Sequence, residues 1–159
     1  MAADPDHPPY GSYATLVGVY STGLIAAGYV ARRLDRDPQC HTALDFAVLA
    51  AASFKAARTI SRDKVTSFVR EPFVEGEAYD GRDERPTGTG LKRAVGELVT
   101  CTRCIGTWTA GGLAATQILA PRFGRLLTWS LAASAANDFL QAGFVALTAK
   151  TNELKGEDS

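Results

Sequence analysis

Two cysteines, Cys101 and Cys104, are the residues of this chain best suited to chemistry, because they are separated by two residues where a polar segment gives way to an apolar one. At the start of a helix such a pair supports thiol–disulfide exchange, since free N–H groups and the helix dipole stabilise a thiolate, and Arg103 adds positive charge. Alternatively, two thiolates supply half of a tetrahedral zinc site. The third interpretation, which we favour, is that both thiols pack as small apolar side chains.

The elements that would position these cysteines are apolar runs separated by polar segments. No charged residue occurs from Tyr10 to Ala31, and this run would extend about 33 Å as a helix, enough for a hydrocarbon layer of about 30 Å. The sequence therefore predicts an all-α polytopic membrane helix bundle with about four transmembrane helices and a charged cytoplasmic loop. Its predicted segments are a flexible N-terminal tail (1–9), transmembrane helix 1 (10–31), transmembrane helix 2 (42–62), a polar loop with short interfacial helices and the Cys-x-x-Cys pair (63–104), transmembrane helix 3 (105–120), transmembrane helix 4 (126–149) and a polar C-terminal tail (150–159).

The second and fourth predicted spans contain charged residues. The second crosses only if Lys55 and Arg58 extend their charged ends to the interface, and the alternative is a helix packed at the membrane edge. Asp138 falls near the middle of the fourth span, so we expect it to face the bundle interior, with Gln117 of the preceding helix as a candidate partner. It would serve as a protonated or hydrogen-bonded packing residue or, alternatively, in a proton or ion path.

The distribution of positive charge predicts the orientation. Four spans place both termini and the polar loop on one side, which then carries twelve Lys and Arg residues against five on the other. The positive-inside rule therefore predicts a multi-pass cell-membrane protein with its termini and Cys-x-x-Cys loop in the cytoplasm. In this topology Cys40 and His41 lie on the opposite face from the cysteine pair. A zinc site at Cys101 and Cys104 would then need Glu97 or Asp63, or ligands from a second copy of the chain.

Four further charged residues flank the cysteine pair on the same predicted face. We expect Asp63, Arg70, Glu71 and Glu97 to form an ion-pair cluster that docks the loop onto the helix ends. The alternative is a solvated charged loop.

Two sequence blocks resemble the bacterial membrane-protein family called domain of unknown function 1360. The first is an apolar helix that ends in a basic Arg-x-Asp-x-hydrophobic-Thr segment followed by Arg-Glu, within Leu49 to Phe73. The second, from Gly96 to Trp108, reads Gly-Glu-Leu-x-Thr-Cys-x-x-Cys-x-Gly-x-Trp. One departure is Thr102-Arg103 between the cysteines, where the family usually has proline and an apolar residue. The resemblance implies an integral membrane protein of uncharacterised function, with some members labelled as sporulation proteins, and the first helix is outside its pattern.

The sequence thus predicts a structural or partner-binding component of a membrane assembly rather than an enzyme. The alternative is a membrane-bound Cys-x-x-Cys protein that binds metal or cycles its thiols. Its predicted partners are the lipid bilayer and a membrane protein or a second copy. Equal numbers of basic and acidic residues give no reason to expect nucleic acid, and no phosphate loop, nucleophile elbow or histidine-based dyad is evident. The one cofactor candidate is zinc at Cys101 and Cys104.

Overall fold

The computed structural model describes residues 8–36, 42–76 and 84–157, with only the backbone of residues 154–157. Almost all of these residues are helical, which confirms the predicted all-α class, with a two-strand antiparallel ladder in the polar segment as the exception. The elements are α1 (Tyr10–Arg33), α2 (Ala43–Arg62), a 3-10 turn (Lys64–Thr66), α3 (Ser67–Arg70), a second 3-10 turn (Glu71–Phe73), β1 (Val74–Glu75), β2 (Arg85–Pro86), α4 (Gly90–Thr100), α5 (Thr102–Leu119) and α6 (Pro121–Glu157).

Local sequence explains where several helices begin and end. Thr42 and Asp45 form a capping box at the start of α2, in which the Asp45 N–H donates to Thr42 Oγ1 (3.2 Å) and the Thr42 N–H donates to Asp45 Oδ2 (3.0 Å). Arg32 and Arg33 occupy the last turn of α1, where positive charge complements the helix dipole. These signals act within one or two turns and need no tertiary contact.

Helix α5 contacts α1, α2, α4 and α6 and runs antiparallel to both α2 and α6. At one end, the hydroxyl oxygens of Ser61 and Thr102 share a hydrogen bond 2.8 Å long. At the next level, Thr109 Oγ1 donates to the carbonyl oxygen of Ser53 at 3.2 Å. Only Ala120 separates α5 from α6, so these two helices fold back on each other.

Helix α1 runs parallel to α5 and packs on α5 and α4. The Tyr20 hydroxyl donates to the Thr107 carbonyl oxygen (3.2 Å), and Arg36 Nη1 donates to the Ile118 carbonyl oxygen (3.4 Å). Residue numbers therefore increase in the same direction along both segments at this contact. The N-terminal ends of α1 and α5 and the C-terminal end of α2 therefore lie at the same end of the bundle.

The interior of the bundle is built mainly from small side chains, while large apolar side chains face outward. Buried positions in α2 and α6 include Ala52, Ala57, Ser61, Thr128 and Ala135, whereas α5 buries the larger Ile105 and Leu113. Exposed large apolar residues include Val17, Leu24 and Ile25 of α1, Phe46 of α2, and Leu126, Phe139, Leu140, Phe144, Val145 and Leu147 of α6. Small interior residues allow close approach of helix backbones.

The observed helices differ from the predicted spans in two ways. The last helix starts at Pro121 and continues to Glu157, so it includes most of the predicted tail 150–159 and exceeds the predicted span 126–149. Within the part of the chain that the structure describes, α1 alone has both the length and the apolar composition expected of a membrane-crossing helix. Pro121 at the first position of α6 explains why this helix starts before the predicted span, because an N–H at that position would have no partner within the helix and proline lacks one.

Candidate functional site

The two cysteines form a disulfide at the junction of α4 and α5. Cys101 ends α4 and caps α5, its Cα atom is 5.2 Å from that of Cys104, and its Sγ accepts a hydrogen bond from the Cys104 N–H (3.2 Å). Cys104 is exposed, and Cys101 is partly buried. This corrects the interpretation we favoured from the sequence, because the sulfurs are bonded to each other and are not two separate thiols packed as apolar side chains.

The disulfide restricts the predicted zinc site to the reduced form of the protein. A bonded sulfur offers no thiolate to a metal, so zinc at Cys101 and Cys104 concerns the reduced protein and stays a prediction. Across residues 8–36, 42–76 and 84–157, no three His, Cys, Asp or Glu side chains are grouped closely enough to hold a metal ion. Cys40 and His41, the other ligands considered, lie outside the described residues.

A cavity of about 390 Å³ lies beside the disulfide, between α1, α4 and α5. Most of its wall is apolar, with Leu16 and Val17 from α1 and Leu98 from α4. Trp108 and Tyr20 provide two aromatic rings whose centroids are 5.2 Å apart. Cys104 lies in the same wall, so one sulfur of the disulfide borders an apolar space.

Glu97 supplies the acidic group of this cavity. Its carboxylate accepts a short hydrogen bond from the Tyr13 hydroxyl and forms an ion pair with Arg93 at 3.0 Å, one turn earlier in α4. Glu97 therefore connects α1 to α4, a role that the sequence did not reveal because Tyr13 and Glu97 are 84 positions apart.

Arg70 is completely buried at the end of α3. Its Nε pairs with Glu84 at 3.0 Å, and the exposed fractions of the two side chains are 0% and 4%. Its Nη1 donates to the carbonyl oxygens of Ile60 (2.8 Å) and Asp63 (3.1 Å) and to Thr66 Oγ1 (3.2 Å). Arg70 thus fixes the turn that follows α2 to the strand ladder.

The single ion-pair cluster predicted for Asp63, Arg70, Glu71 and Glu97 needs correction. The structure distributes these residues over two places, since Arg70 pairs with Glu84 while Glu97 pairs with Arg93 at the cavity. Asp63 meets Arg70 through its backbone carbonyl, and Glu71 is exposed. The sequence analysis missed Glu84 because it lies among several charged residues of the loop, and nothing in its local pattern distinguishes it.

Asp138 pairs with Lys55 of α2, with Nζ and Oδ2 2.7 Å apart. Phe54 and Phe139 stack beside the pair, with ring centroids 5.7 Å apart. Two expectations are corrected here. Lys55 pairs with an acid and does not extend alone to the interface, and Gln117 donates to Thr128 Oγ1 (2.8 Å) in place of Asp138.

Close approaches between elements depend on glycines, of which Gly96 and Gly111 lie near the site. A Cβ atom on Gly96 would lie 2.6 Å from the Phe73 carbonyl oxygen, so α4 contacts the second 3-10 turn only because this position has no side chain. A Cβ atom on Gly111 would lie 2.7 Å from the Tyr20 hydroxyl, which shows how α1 fits against α5. Gly96 was part of the motif singled out from the sequence, whereas Gly111 was not.

These features define an all-α protein in which a disulfide at a helix junction borders an apolar cavity. Comparison with known proteins shows that the chain belongs to the family described as "Protein of unknown function (DUF1360)", whose model matches residues 48–144. The chain is also 33% identical over 95 residues to a protein named "Sporulation protein YjcA" from Bacillus subtilis (strain 168), which covers 56% of this chain and 80% of that relative. No solved structure gives a significant match. Helix α1, and with it one wall of the cavity, precedes the matched residues.

Proposed function

We propose that this chain is a multi-span membrane protein in which α1, α2, α5 and α6 cross the bilayer and the Cys101–Cys104 junction is a thiol–disulfide centre. The observation that carries the membrane part is the distribution of side chains by size. Most buried positions are alanine, serine or threonine, with Val99, Ile105 and Leu113 as the larger apolar exceptions, while most of the phenylalanine, leucine and valine side chains of the helices face outward. In water this arrangement would leave a large apolar surface unburied, whereas in lipid it is the favoured one.

The directions of the helices support four crossings. Helices α1 and α5 run one way and α2 and α6 run the other, as four successive spans require. The polar elements between α2 and α5 then lie together at one end of the bundle. Among the described helices α1 alone is both long and apolar enough to cross by length and composition, and the pairing of Lys55 with Asp138 reduces the cost of placing α2 and α6 in lipid.

A membrane preparation tests this part directly. We expect the protein to remain in the membrane fraction after alkaline carbonate washing and to require detergent for extraction. A chain that stays monodisperse in buffer without detergent would contradict the proposal.

The disulfide supports the thiol–disulfide part. Cys101 caps α5, where the helix N-terminus stabilises the thiolate that exchange requires. Exposed Cys104 is accessible to a reaction partner. Structural disulfides typically have reduction potentials below about −300 mV, so a catalytic pair should have a higher potential.

The experiment is a redox titration of the protein in detergent, with glutathione buffers and a thiol-reactive mass tag. A Cys40→Ser background leaves the junction as the source of any disulfide, and Cys101→Ser in that background is the matched control. We expect two thiols to convert together, with a midpoint above about −300 mV. A lower midpoint would indicate a purely structural bond.

Metal analysis of the reduced protein tests the alternative site. Stoichiometric zinc in the reduced protein, lost with Cys101→Ser, would support the metal site.

The charge distribution supports a cytoplasmic location for this junction, as the positive-inside rule predicts. Cytosolic disulfides are usually transient and catalytic, which fits an exchange centre better than a permanent structural bond. Impermeant thiol reagents applied to reduced, sealed membranes test the orientation. Cys104 should react only from the cytoplasmic side, and Cys40 only from the opposite side.

A partner-binding role is the second candidate, and the second half of α6 favours it. Every residue from Phe139 to Glu153 is exposed, including Phe144 at 71%. A second copy or another membrane protein could cover this apolar face. Light scattering in detergent tests self-association, with Phe144→Ala expected to reduce any dimer and Phe46→Ala, on α2, as the control.

A further inference from the structure

The cavity beside the disulfide has features that the thiol–disulfide centre alone does not explain. An exchange reaction between water-soluble partners needs only an accessible sulfur. Here Cys104 borders a half-open apolar space of about 390 Å³, within the range of about 300–1,000 Å³ typical of small-molecule sites. The space therefore favours an apolar ligand that approaches the sulfur.

The wall of the cavity indicates the shape of that ligand. The rings of Trp108 and Tyr20 are tilted by 49° to each other, and both line the space. Flat aromatic walls of this kind favour a planar ring through offset stacking. The Tyr13 hydroxyl donates its proton to Glu97 and the Glu97 carboxylate only accepts, so this pair leaves no donor for a ligand, which the wall would hold by apolar and aromatic contact.

The position of the cavity indicates the route of entry. Val17 lines the cavity and is 63% exposed on the outer face of α1, which in the proposed topology faces lipid. A ligand dissolved in the bilayer would reach the cavity without crossing water. Because α1 precedes the residues matched by the family model, this wall is contributed by a part of the chain outside that match.

We infer that the cavity binds a lipid-soluble quinone, which accepts two electrons from the reduced Cys101–Cys104 pair. The inference rests on the proposed thiol–disulfide function. In the reaction the two S–H bonds break and one S–S bond forms. The two electrons and two protons pass to the quinone, whose two carbonyl oxygens become the hydroxyl groups of a quinol. The protein leaves the reaction as the disulfide that the structure contains.

Decylubiquinone is the probe, because all its ring carbons are substituted and it is therefore a poor target for direct addition of thiols. Reduced Cys40→Ser protein in lipid nanodiscs is mixed with the quinone, and loss of quinone absorbance and loss of thiols are followed together. We expect one quinone to be consumed for every two thiols. Cys104→Ser protein should consume none.

Two variants of α1 make the test specific for the cavity. Val17→Trp places a bulky ring in the cavity wall, and Val19→Trp introduces the same ring at an exposed position that does not line it. We expect Val17→Trp to slow oxidation by quinone about tenfold or more, as obstruction of an apolar pocket should. The quinone rate of each variant is compared with its own rate of oxidation by glutathione disulfide, and Val19→Trp should behave as the parent protein with both oxidants.

The outcomes separate the two proposals. If glutathione disulfide oxidises the pair but quinone does not, the quinone site is wrong and the exchange centre stands. Equal quinone rates in Val17→Trp and Val19→Trp would also overturn the cavity assignment, since reaction would then occur elsewhere. If neither oxidant forms the disulfide, the thiol–disulfide function itself fails.

Discussion

Removal of either member of the Lys55–Asp138 pair should destabilise the protein strongly, while removal of both should cost much less. The charged atoms are 2.7 Å apart, between α2 and α6, with 17% of the Lys55 side chain and 39% of the Asp138 side chain exposed. In the proposed topology the surroundings of this pair are lipid and protein. Lys55→Met leaves Asp138 without its cation, and Asp138→Leu leaves Lys55 without its acid.

The size of the effect depends on the solvent around the helices. An unpaired charge near the centre of a membrane helix costs about 2.5 to 3.5 kcal/mol on insertion scales. This corresponds to a shift of the unfolding equilibrium of about 60- to 300-fold, since about 1.4 kcal/mol is a factor of ten. The same pair on a water-exposed surface would contribute about 0 to 1 kcal/mol. The double variant, with no charge left in lipid, should recover most of the loss.

The measurement is reversible unfolding in mixed micelles with increasing sodium dodecyl sulfate, followed by circular dichroism. We expect each single variant to lose about 2 to 3 kcal/mol and the double variant to lie within about 1 kcal/mol of the parent. Asp138→Asn should resemble Asp138→Leu, because it also leaves Lys55 unpaired. Two single variants that each cost less than about 1 kcal/mol would refute the reasoning and place the pair in water.

Three further predictions concern the elements around the site. Gly96→Ala should destabilise the fold by about 1 to 3 kcal/mol in the same unfolding assay, because its Cβ atom would clash with the Phe73 carbonyl oxygen. Arg70→Met should cost about 3 to 5 kcal/mol, because it leaves the carboxylate of Glu84 buried without its partner. Thr42→Ala should cost about 1 kcal/mol by removing the capping box at the start of α2.

Matched controls accompany each of these variants. Gly112→Ala, in open space on α5, should be neutral or stabilising, and a cost equal to that of Gly96→Ala would reject the clash. Arg70→Met combined with Glu84→Leu should recover part of the loss, and no recovery would argue against the pair. Thr42→Ser keeps the capping oxygen, so a loss equal to that of Thr42→Ala would exclude the cap as its cause.

Much of the secondary structure follows from local sequence. The charge-free run after Tyr10 predicts a long helix, and the structure has α1 there. The cysteine pair was expected at the start of an apolar helix, and α5 begins between the two cysteines. Hydrophobic runs, caps and breaks act over a few residues, so the chain encodes them without reference to its fold.

The partners of the charged residues could not be read in the same way. Glu84 was one acid among several in a charged loop until the β1–β2 ladder and α3 brought it to Arg70. Lys55 and Asp138 belong to helices 83 positions apart in the chain. Many pairings of opposite charges are compatible with one sequence, and the approach of the elements selects among them.

The sequence by itself thus determined the helical class, the family and the placement of two cysteines at a helix start. Only the tertiary structure decided that the cysteines are joined, that Glu97 meets Tyr13 and that α1 forms one wall of a half-open cavity beside Cys104. The physical reason is the range of the interactions. Helix formation depends on neighbours three or four residues away, whereas a cavity exists only where side chains from distant segments fail to fill the space between them.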